Sequence, residues 1–235
     1  MKRGTTSLDR QLKLEALPRW KRILDLTILI LSLPLSILLA AAIAIFIKLS
    51  SPGPLIFRQE RIGLRGERFL CLKFRTMKAN ADNTPHRDYL TQLISSKTPM
   101  TKMDLKGDHR LIPCASWLRA TGLDELPQLV NIWRGEMSLV GPRPCLVYEF
   151  EVHTDWQKHR YDALPGLTGL WQVSGKNRTT FNEMVQMDIW YAGHRSLWLD
   201  LKIIARTPFT LLGQVLAARL SGQNGGVRPV QRATS

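Results

Sequence analysis

The uncharged stretch LTILILSLPLSILLAAAIAIFI, residues 26–47, decides the architecture of this chain. As a helix, its 22 residues are long enough to cross the hydrocarbon layer of a bilayer, which is ~30 Å thick. A cleaved signal peptide is disfavoured, because the apolar run is too long and begins too late. The stretch therefore predicts a membrane helix near the start of the chain.

Both flanks of this membrane segment are basic. Residues 1–25 carry seven Lys and Arg against three acidic residues, and residues 48–78 carry eight against two. By the positive-inside rule, both flanks are expected on the cytoplasmic side. Within the segment, Pro34 removes a helical hydrogen bond, and the hydroxyls of Ser32 and Ser36 can satisfy the freed groups. Two arrangements remain open: a helix broken at Pro34 that returns to the same face, or a kinked helix that spans.

The composition favours an anionic partner. The chain has 33 Lys and Arg against 19 Asp and Glu, a formal charge of +14, which suits nucleic acid, lipid headgroups or a phosphorylated substrate. Cys71, Cys114 and Cys145 are widely spaced, and no histidine pair has the spacing of metal ligands. A disulfide framework and a zinc site are therefore not expected, and a reducing, cytosolic environment fits best.

A β-hairpin is predicted directly after the membrane segment. The turn-forming SSPGP, residues 50–54, closes that segment, and LIFRQERIGLRGERFLCLKFRTM follows at 55–77. We expect a first strand over 55–59, a turn at 63–66 and a second strand with one packed and one basic face. The packed face would carry Leu70, Leu72 and Phe74, and the basic face Lys73 and Arg75. The polar residues 79–107 are expected to form a variable, partly helical excursion without chemistry.

The stretch GLDELPQLVNIWRGEMSLVGPRP, residues 122–144, places Asp124 and Glu125 before Pro127. One interpretation is structural: Asp124 caps a helix that runs to about Arg134 and ends at Gly135. The other is chemical, because two adjacent carboxylates at a helix start can reach one bound phosphate and a metal ion. The two interpretations are compatible, and both remain open on the pattern alone.

Three further segments are candidates for ligand or membrane contacts. In GPRP, residues 141–144, two prolines hold Arg143 outward, which suits a planar or phosphate-bearing ligand. The glycine-rich LPGLTGLWQVSGKN, residues 164–177, could cradle phosphate with backbone amides. The apolar and basic pattern of residues 196–220 predicts either an amphipathic helix on the bilayer surface or a core helix with a solvated face.

Taken together, the motifs resemble the bacterial sugar transferases, monotopic polyprenyl-phosphate phosphoglycosyl transferases similar to those that initiate exopolysaccharides. The resemblance runs in family order from about residue 19 to 213. It rests on Lys21-Arg22 with Asp25, SPGP at 51–54, RQERIG at 58–63, KFRTM at 73–77, LDELPQL at 123–129, GEMSLVGPRP at 135–144, PGLTGLWQV at 165–173 and LDLKI at 199–203.

The resemblance implies a reaction and its residues. A sugar-1-phosphate would pass from a UDP-sugar to undecaprenyl phosphate, with UMP released, at the cytoplasmic face of the bacterial inner membrane. Asp124 would be the nucleophile, and Glu125 would bind Mg²⁺. The substrate-binding residues implied are Lys73, Arg75, Arg119, Lys176 and the Pro142, Arg143 and Pro144 of PRP. The form GLTGLWQV is associated with transfer of glucose or galactose phosphate.

The resemblance also implies a fold of α/β class, mostly helical. A re-entrant helix, broken at Ser32, Pro34 and Ser36, would occupy 19–50, after a basic segment at 1–18. A small cytosolic catalytic domain with a short β-hairpin and interfacial amphipathic helices would follow at 51–213, and a disordered tail at 214–235.

Three positions depart from the family pattern. Leu164 stands where members often carry a basic residue, Asp108-His109-Arg110 replaces their DPR, and Gly175-Lys176-Asn177 replaces their GRN. Lysine at position 176 keeps the charge of arginine but lacks its two-pronged geometry.

Two other classes of protein would also explain parts of the sequence. A nucleic-acid-binding protein would account for the charge, but its basic residues would not straddle an apolar segment, and no nucleic-acid motif is present. A non-catalytic membrane-surface scaffold would account for the segment and the charge, but would not need Asp-Glu beside PRP. A membrane enzyme that does not bind nucleic acid is the favoured interpretation.

Overall fold

The structure is a computed structural model that describes residues 18–78, 110–113, 115–175 and 179–223. Helices predominate, as predicted. The helices are α1 (Arg19–Ser50), α2 (Ala115–Thr121), α3 (Gln128–Trp133), α4 (Val147–Glu151), α5 (Asp155–Lys158), α6 (Leu170–Val173), α7 (Phe181–Gly193) and α8 (Leu197–Gln223). The strands are β1 (Ile56–Ile62), β2 (Arg68–Phe74), β3 (Ser138–Val140), β4 (Cys145–Leu146) and β5 (Gly166–Thr168), with 3₁₀ turns at Leu64–Gly66, Leu123–Glu125 and His159–Asp162.

Helix α1 contains the apolar segment and is, in the described part of the chain, the one helix long and apolar enough to cross a membrane. Helical structure continues through Pro34, where the sequence predicted a break. The Ser32 hydroxyl donates to the Leu29 carbonyl at 3.1 Å, a contact that bends helices without ending them. The large apolar side chains around the proline are exposed: Ile30, Leu31, Leu33, Leu35, Ile37, Leu38 and Leu39. Such a surface suits lipid, not a core helix.

The two ends of α1 pack on the rest of the molecule. Near its start, Leu29 belongs to the main core cluster, which also contains Cys71, Ile132, Met137, Leu139, Val140, Ala163, Tyr191, Ala192 and Ile203. Near its end, Ile43 and Ile47 belong to a second cluster with Phe74, Ile112, Ala115 and Leu118. One helix therefore contributes to both cores and holds them together.

The predicted hairpin is present with longer strands. β1 and β2 pair antiparallel from Ile56 opposite Phe74 to Ile62 opposite Arg68, and β4 adds to the other edge of β1. The chain reverses at residues 63–66, as expected. A separate pair of short strands, β3 and β5, runs parallel. Because β4 follows β3 after only four residues, the segment 141–144 links the two sheets.

The expected packed face of β2 was wrong at Leu70, which is 51% exposed. The opposite face is the packed one there, since Cys71 is buried and Phe69 packs against the same core. Helix α3 covers the free edge of β2. Asn131 on α3 accepts a hydrogen bond from the Leu72 amide and donates to the Leu70 carbonyl. The free backbone groups of this edge strand are thereby hydrogen-bonded by a side chain instead of by a further strand.

The sequence of helix α8 predicted either an amphipathic helix on the bilayer surface or a core helix. The helix has one buried face and one exposed apolar face, so it has features of both. Asp200 and Ile203 are buried against the core. The exposed large apolar residues recur at helical spacing on another face: Leu197, Trp198, Leu201, Phe209, Leu212 and Leu216. The helix continues to Gln223, so the predicted tail boundary at residue 213 was wrong over 214–223. The predictions for residues 1–17, 79–107 and 224–235 lie outside the described residues.

Candidate active site

The Asp-Glu pair lies in a tight turn and does not begin a helix. Leu123–Glu125 forms a 3₁₀ turn that follows Gly122, whose φ of 73° is in the left-handed region. Helix α3 starts only at Gln128, with Pro127 as its N-cap residue. The expectation that Asp124 caps the helix was therefore wrong, whereas Gly135 ends it with a φ of 74°, as expected. The turn closes early, through a hydrogen bond from the Glu125 amide to the Gly122 carbonyl.

Asp124 is buried, and its apolar neighbours explain why. Leu123 and Leu126 pack against the second core cluster, which contains the end of α1. Between them, Asp124 is only 8% exposed. Burial raises the pKa of Asp124 to about 6, and Glu125 adds to the rise, while Lys73 and Arg119 oppose it. A carboxyl group near neutrality in its pKa and shielded from water is typical of a functional site.

Glu125 is held by a lysine from the neighbouring strand. The ammonium of Lys73 lies 2.6 Å from Glu125 Oε1. Lys73 follows Cys71 on the same face of β2, so the strand that packs on the core also carries this cation to the turn. The structure thus brings together Asp124, Glu125 and Lys73, with Arg119 near enough to favour the ionised form of Asp124.

The side chains of this turn could bind a magnesium ion only together with oxygen atoms of the substrate diphosphate. Within the described ranges, no group of three or more His, Cys, Asp and Glu side chains is placed to hold a metal. Mg²⁺ in phosphate-handling sites is commonly bound by one or two carboxylates together with substrate phosphates. The adjacent Asp124 and Glu125 provide such a partial set of oxygen ligands, so the residues present fit a shared protein–diphosphate site.

Arg75, predicted as a phosphate ligand, lies elsewhere. It is buried, and its guanidinium donates to the carbonyls of Ser51 and Pro52. Gly53, with a φ of 118°, lies so close that an added Cβ would be 2.5 Å from the guanidinium. Strand β2 ends at Phe74, so the alternation that would align Arg75 with Lys73 stops before it. Arg75 therefore stabilises the turn that follows α1 by hydrogen bonds to its backbone.

The Gly-Pro-Arg-Pro loop, residues 141–144, is held by its backbone carbonyls. The carbonyl of Pro142 accepts from the Gly166 amide, that of Arg143 from the Arg160 guanidinium, and that of Pro144 from Arg61. The side chain of Arg143 is partly exposed and contacts Glu149 at 3.4 Å. The loop therefore presents an arginine on a fixed backbone, as its two prolines predicted.

Buried charges lie beneath this loop. Arg160 is fully buried and forms an ion pair with Asp188 on α7. Glu149 is also fully buried; burial alone would raise its pKa, but Arg143, Arg61 and Arg160 outweigh that effect and hold its pKa below the usual range. Sequence reasoning missed Glu149, Arg160 and Asp188, which lie outside the recognised motifs. Arg160 and Asp188 are partners 28 residues apart, a pairing that no local pattern indicates.

The glycine-rich segment contains glycines that allow close backbone contact, while its role as a phosphate cradle stays a prediction. A Cβ added at Gly141 would lie 2.1 Å from the Leu164 carbonyl, and one at Gly169 would lie 2.2 Å from the Gly141 carbonyl. These glycines let β5 and the loop approach backbone to backbone, and the Gly166 amide is used in that contact. Leu164 packs against Leu64, which accounts for an apolar residue at this departure from the family pattern. Lys176 lies outside the described residues.

Comparison with known proteins identifies the family of this chain. A family model described as bacterial sugar transferase matches residues 17–214, so the chain belongs to that family. The UDP-glucose:undecaprenyl-phosphate glucose-1-phosphate transferase of Caulobacter vibrioides is 41% identical over 206 residues, covering 82% of this chain and 69% of that protein. The exopolysaccharide production protein ExoY of Sinorhizobium fredii is 39% identical over 191 residues, covering 80% and 83%.

Other relatives are longer than this chain. The UDP-galactose-lipid carrier transferase of Erwinia amylovora is 40% identical over 182 residues, which are 77% of this chain but 37% of that protein. Across several curated relatives, the chain spans between 34% and 41% of their length. The shared region contains the Asp-Glu turn and the Gly-Pro-Arg-Pro loop, which lie inside the family match.

The burial of Asp124 predicts a stability gain on its removal. The carboxyl titrates near 3.8 when unfolded and near 6 when folded, so the unfolded state loses its proton first and stability falls as the pH rises across this window. In metal-free buffer at pH 7.5, Asp124→Asn should raise the free energy of unfolding by on the order of 2–3 kcal/mol, and the gain should shrink to about 0.6 kcal/mol at pH 4.

Thermal unfolding of purified protein in detergent with EDTA, measured from pH 4 to 8, checks this expectation. Asp155→Asn is the matched control, because Asp155 is fully exposed and a hydrogen bond from Lys158 lowers its pKa. The control should show no gain at high pH. A melting temperature of Asp124→Asn that stays equal to wild type at every pH would contradict the burial argument.

Proposed function

We propose that this chain transfers a sugar-1-phosphate from a UDP-sugar to undecaprenyl phosphate and releases UMP. The observation that carries the proposal is the buried Asp124 beside the Glu125–Lys73 ion pair, within a family whose relatives include named undecaprenyl-phosphate sugar-phosphate transferases. A non-catalytic scaffold would gain nothing from a buried carboxyl that costs stability.

In the proposed first step, Asp124 attacks the phosphorus that bears the sugar. A carboxylate oxygen forms a new bond to this phosphorus, the bond to the bridging oxygen breaks, and UMP leaves with the electron pair. The product on the enzyme is an aspartyl phosphosugar. Lys73 and Arg119 favour the ionised form of Asp124 that this step needs. Lys73 can also move from Glu125 towards the diphosphate, where a cation would offset developing charge.

In the second step, the phosphate of the lipid takes the sugar-phosphate. An oxygen of undecaprenyl phosphate attacks the same phosphorus, the bond to Asp124 breaks, and the carboxylate is regenerated. Two steps suit substrates from two phases, since UMP can leave towards water before the lipid phosphate arrives. The exposed apolar face of α8, with Lys202 stacked over Trp198 at 5.3 Å, is suited to the bilayer surface where that lipid lies.

Mg²⁺ is the proposed cofactor. Glu125 would hold it, and Asp124 lies next to that position. When bound, the ion would neutralise charge on the diphosphate. Arg143, presented by its rigid loop, is the proposed contact to the nucleotide, because a guanidinium can bind phosphate by two hydrogen bonds or stack on a planar base.

We also propose that α1 re-enters the membrane and returns, so that both of its ends are cytoplasmic. Its start and its end both pack on the same globular part of the molecule. From Leu29 to Ile43 a straight helix advances only about 21 Å, which is less than the ~30 Å hydrocarbon thickness. A crossing would therefore pull one docked end off the domain. The two basic flanks favour the same topology.

The covalent step predicts stoichiometric UMP release. Wild-type protein mixed with UDP-sugar alone should release up to one equivalent of UMP and gain the mass of a phosphosugar on the peptide that contains Asp124. Asp124→Asn should show neither, and its turnover with both substrates should fall by roughly 10³-fold or more, since an amide cannot form the acyl phosphate.

Asp155→Asn controls for the Asp-to-Asn change itself and should behave as wild type. Intact-protein mass spectrometry and UMP detection measure both outcomes, and a panel containing UDP-glucose and UDP-galactose identifies the sugar. Turnover of Asp124→Asn at a rate comparable to wild type would refute the nucleophile. A wild-type protein inert towards the whole panel would favour the scaffold.

The metal proposal predicts a change in magnesium dependence. Glu125→Gln should raise the Mg²⁺ concentration for half-maximal activity by at least roughly tenfold. Mutating a residue that only hydrogen-bonds to a metal ligand already weakens metal affinity about tenfold or more, and removing the ligand itself should weaken it at least as much. Glu151→Gln, at an exposed position on α4, is the control and should leave that concentration unchanged. Activity that persists in excess EDTA would remove the metal from the mechanism.

The topology proposal predicts that both ends of α1 are shielded in intact cells. In a Cys114→Ser background, single cysteines at the exposed Arg19 and Glu60 should resist an impermeant thiol reagent and react only after permeabilisation. The native Cys71 and Cys145 are buried. Pro34→Ala restores a helical donor and should favour a spanning helix, with one of the two sites labelled. Labelling of one site alone in the parent protein would establish a crossing.

A further inference from the structure

Lys21, Arg22 and Asp25, in the first turns of α1, are charged residues that the proposed chemistry does not use. Lys21 and Asp25 are almost completely buried. Burying a charge is costly unless it is paired and hydrogen-bonded, and a membrane anchor requires no such arrangement. Their partners therefore indicate what these residues do.

Lys21 is joined to the strand that leads into the Gly-Pro-Arg-Pro loop. Its ammonium donates to the Val140 carbonyl at 2.9 Å, to the Tyr191 hydroxyl at 2.9 Å and to Asp200 Oδ2 at 2.6 Å. The three protons of the ammonium are thus engaged inside the protein, which leaves none for a lipid headgroup. The Tyr191 hydroxyl also lies 3.1 Å from the Val140 carbonyl and 2.7 Å from Asp200 Oδ1.

Asp25 and Arg22 extend this connection. Asp25 accepts hydrogen bonds from the Ser138 hydroxyl and the Leu139 amide, both at 3.0 Å, so it holds β3 one turn of α1 away from Lys21. Arg22 donates to the carbonyls of Ile132 and Trp133, at the end of the helix that follows the Asp-Glu turn. The start of α1 is therefore hydrogen-bonded to the segments that carry both halves of the site.

We propose that Lys21 and Tyr191 are positioning residues that set the Gly-Pro-Arg-Pro loop for the UDP-sugar by holding the Val140 carbonyl directly before Gly141. The proposal rests on the proposed function of that loop in nucleotide binding. On this view, the start of the membrane helix is part of the active site as well as an anchor. The motif LDLK, at 199–202, belongs to the same hydrogen-bonded network, because its Asp200 contacts both Lys21 and Tyr191.

Tyr191→Phe tests the proposal with little risk to folding, because it removes one hydroxyl and keeps the ring. In a two-step reaction, kcat/KM for each substrate reports on its own half-reaction. The variant should lower kcat/KM for the UDP-sugar by roughly 3- to 10-fold, the size of one hydrogen bond, and leave kcat/KM for undecaprenyl phosphate unchanged. A purely structural role would lower both equally, because it would only reduce the amount of active protein.

A double-mutant cycle with Arg143→Ala tests whether the loss of kcat/KM in Tyr191→Phe depends on the Arg143 side chain. If it does, Tyr191→Phe should change kcat/KM for the UDP-sugar by less than twofold in the Arg143→Ala background. Val185→Ala is the matched destabilised control, since Val185 is buried in a different cluster with Trp171, Phe181 and Met184. It should lower the melting temperature and affect both half-reactions in proportion.

Hydrogen–deuterium exchange supplies a readout that does not depend on activity. Peptides covering residues 138–146 should exchange faster in Tyr191→Phe than in wild type, and not faster in Val185→Ala. Equal loss in the two half-reactions, an additive cycle, or unchanged exchange would each overturn the positioning role. Absence of UMP release from wild type would instead contradict the proposed function, and the exchange result would still decide whether Tyr191 holds the loop.

Discussion

The attachment of both ends of α1 to one globular domain is the constraint on which the rest of the structure depends. Near its start, buried charges and Leu29 join β3, α7 and α8; near its end, Ile43 and Ile47 support the residues beside the Asp-Glu turn. Helix α1 thus contributes side chains to both cores. Its exposed apolar middle suits lipid, its two ends pack on protein, and the two surfaces are separated along the helix.

The site combines a destabilised carboxyl with rigid surroundings. Asp124 is buried between two leucines that face the second core. The favourable packing of these leucines offsets the free energy needed to bury the carboxylate. The Gly-Pro-Arg-Pro loop is rigid for a different reason, since its carbonyls accept from Gly166, Arg160 and Arg61. The buried carboxyl therefore lies on one segment and the fixed backbone on another, and the second is held by residues 17 to 83 positions away along the chain.

The sequence predicted features that depend on neighbours along the chain. The apolar run of 26–47, the hairpin turn at 63–66 and the end of α3 at Gly135 all follow from local composition and backbone preference, and the structure contains them. The order of the motifs was sufficient to indicate the family, because a motif is local by definition. Where local rules competed, prediction failed: Asp124 resembled a helix cap, but the turn at 123–125 closed first.

What the sequence by itself determined was the membrane segment, the basic charge, the hairpin and the residues from which a site could be built. Only the tertiary structure decided that Lys73 reaches Glu125 while Arg75 turns to Ser51 and Pro52, because β2 ends between them. It also decided the partners of Lys21, which lie 119 to 179 residues away. Pairings over such distances depend on which surfaces meet when the chain packs, and no local pattern encodes that.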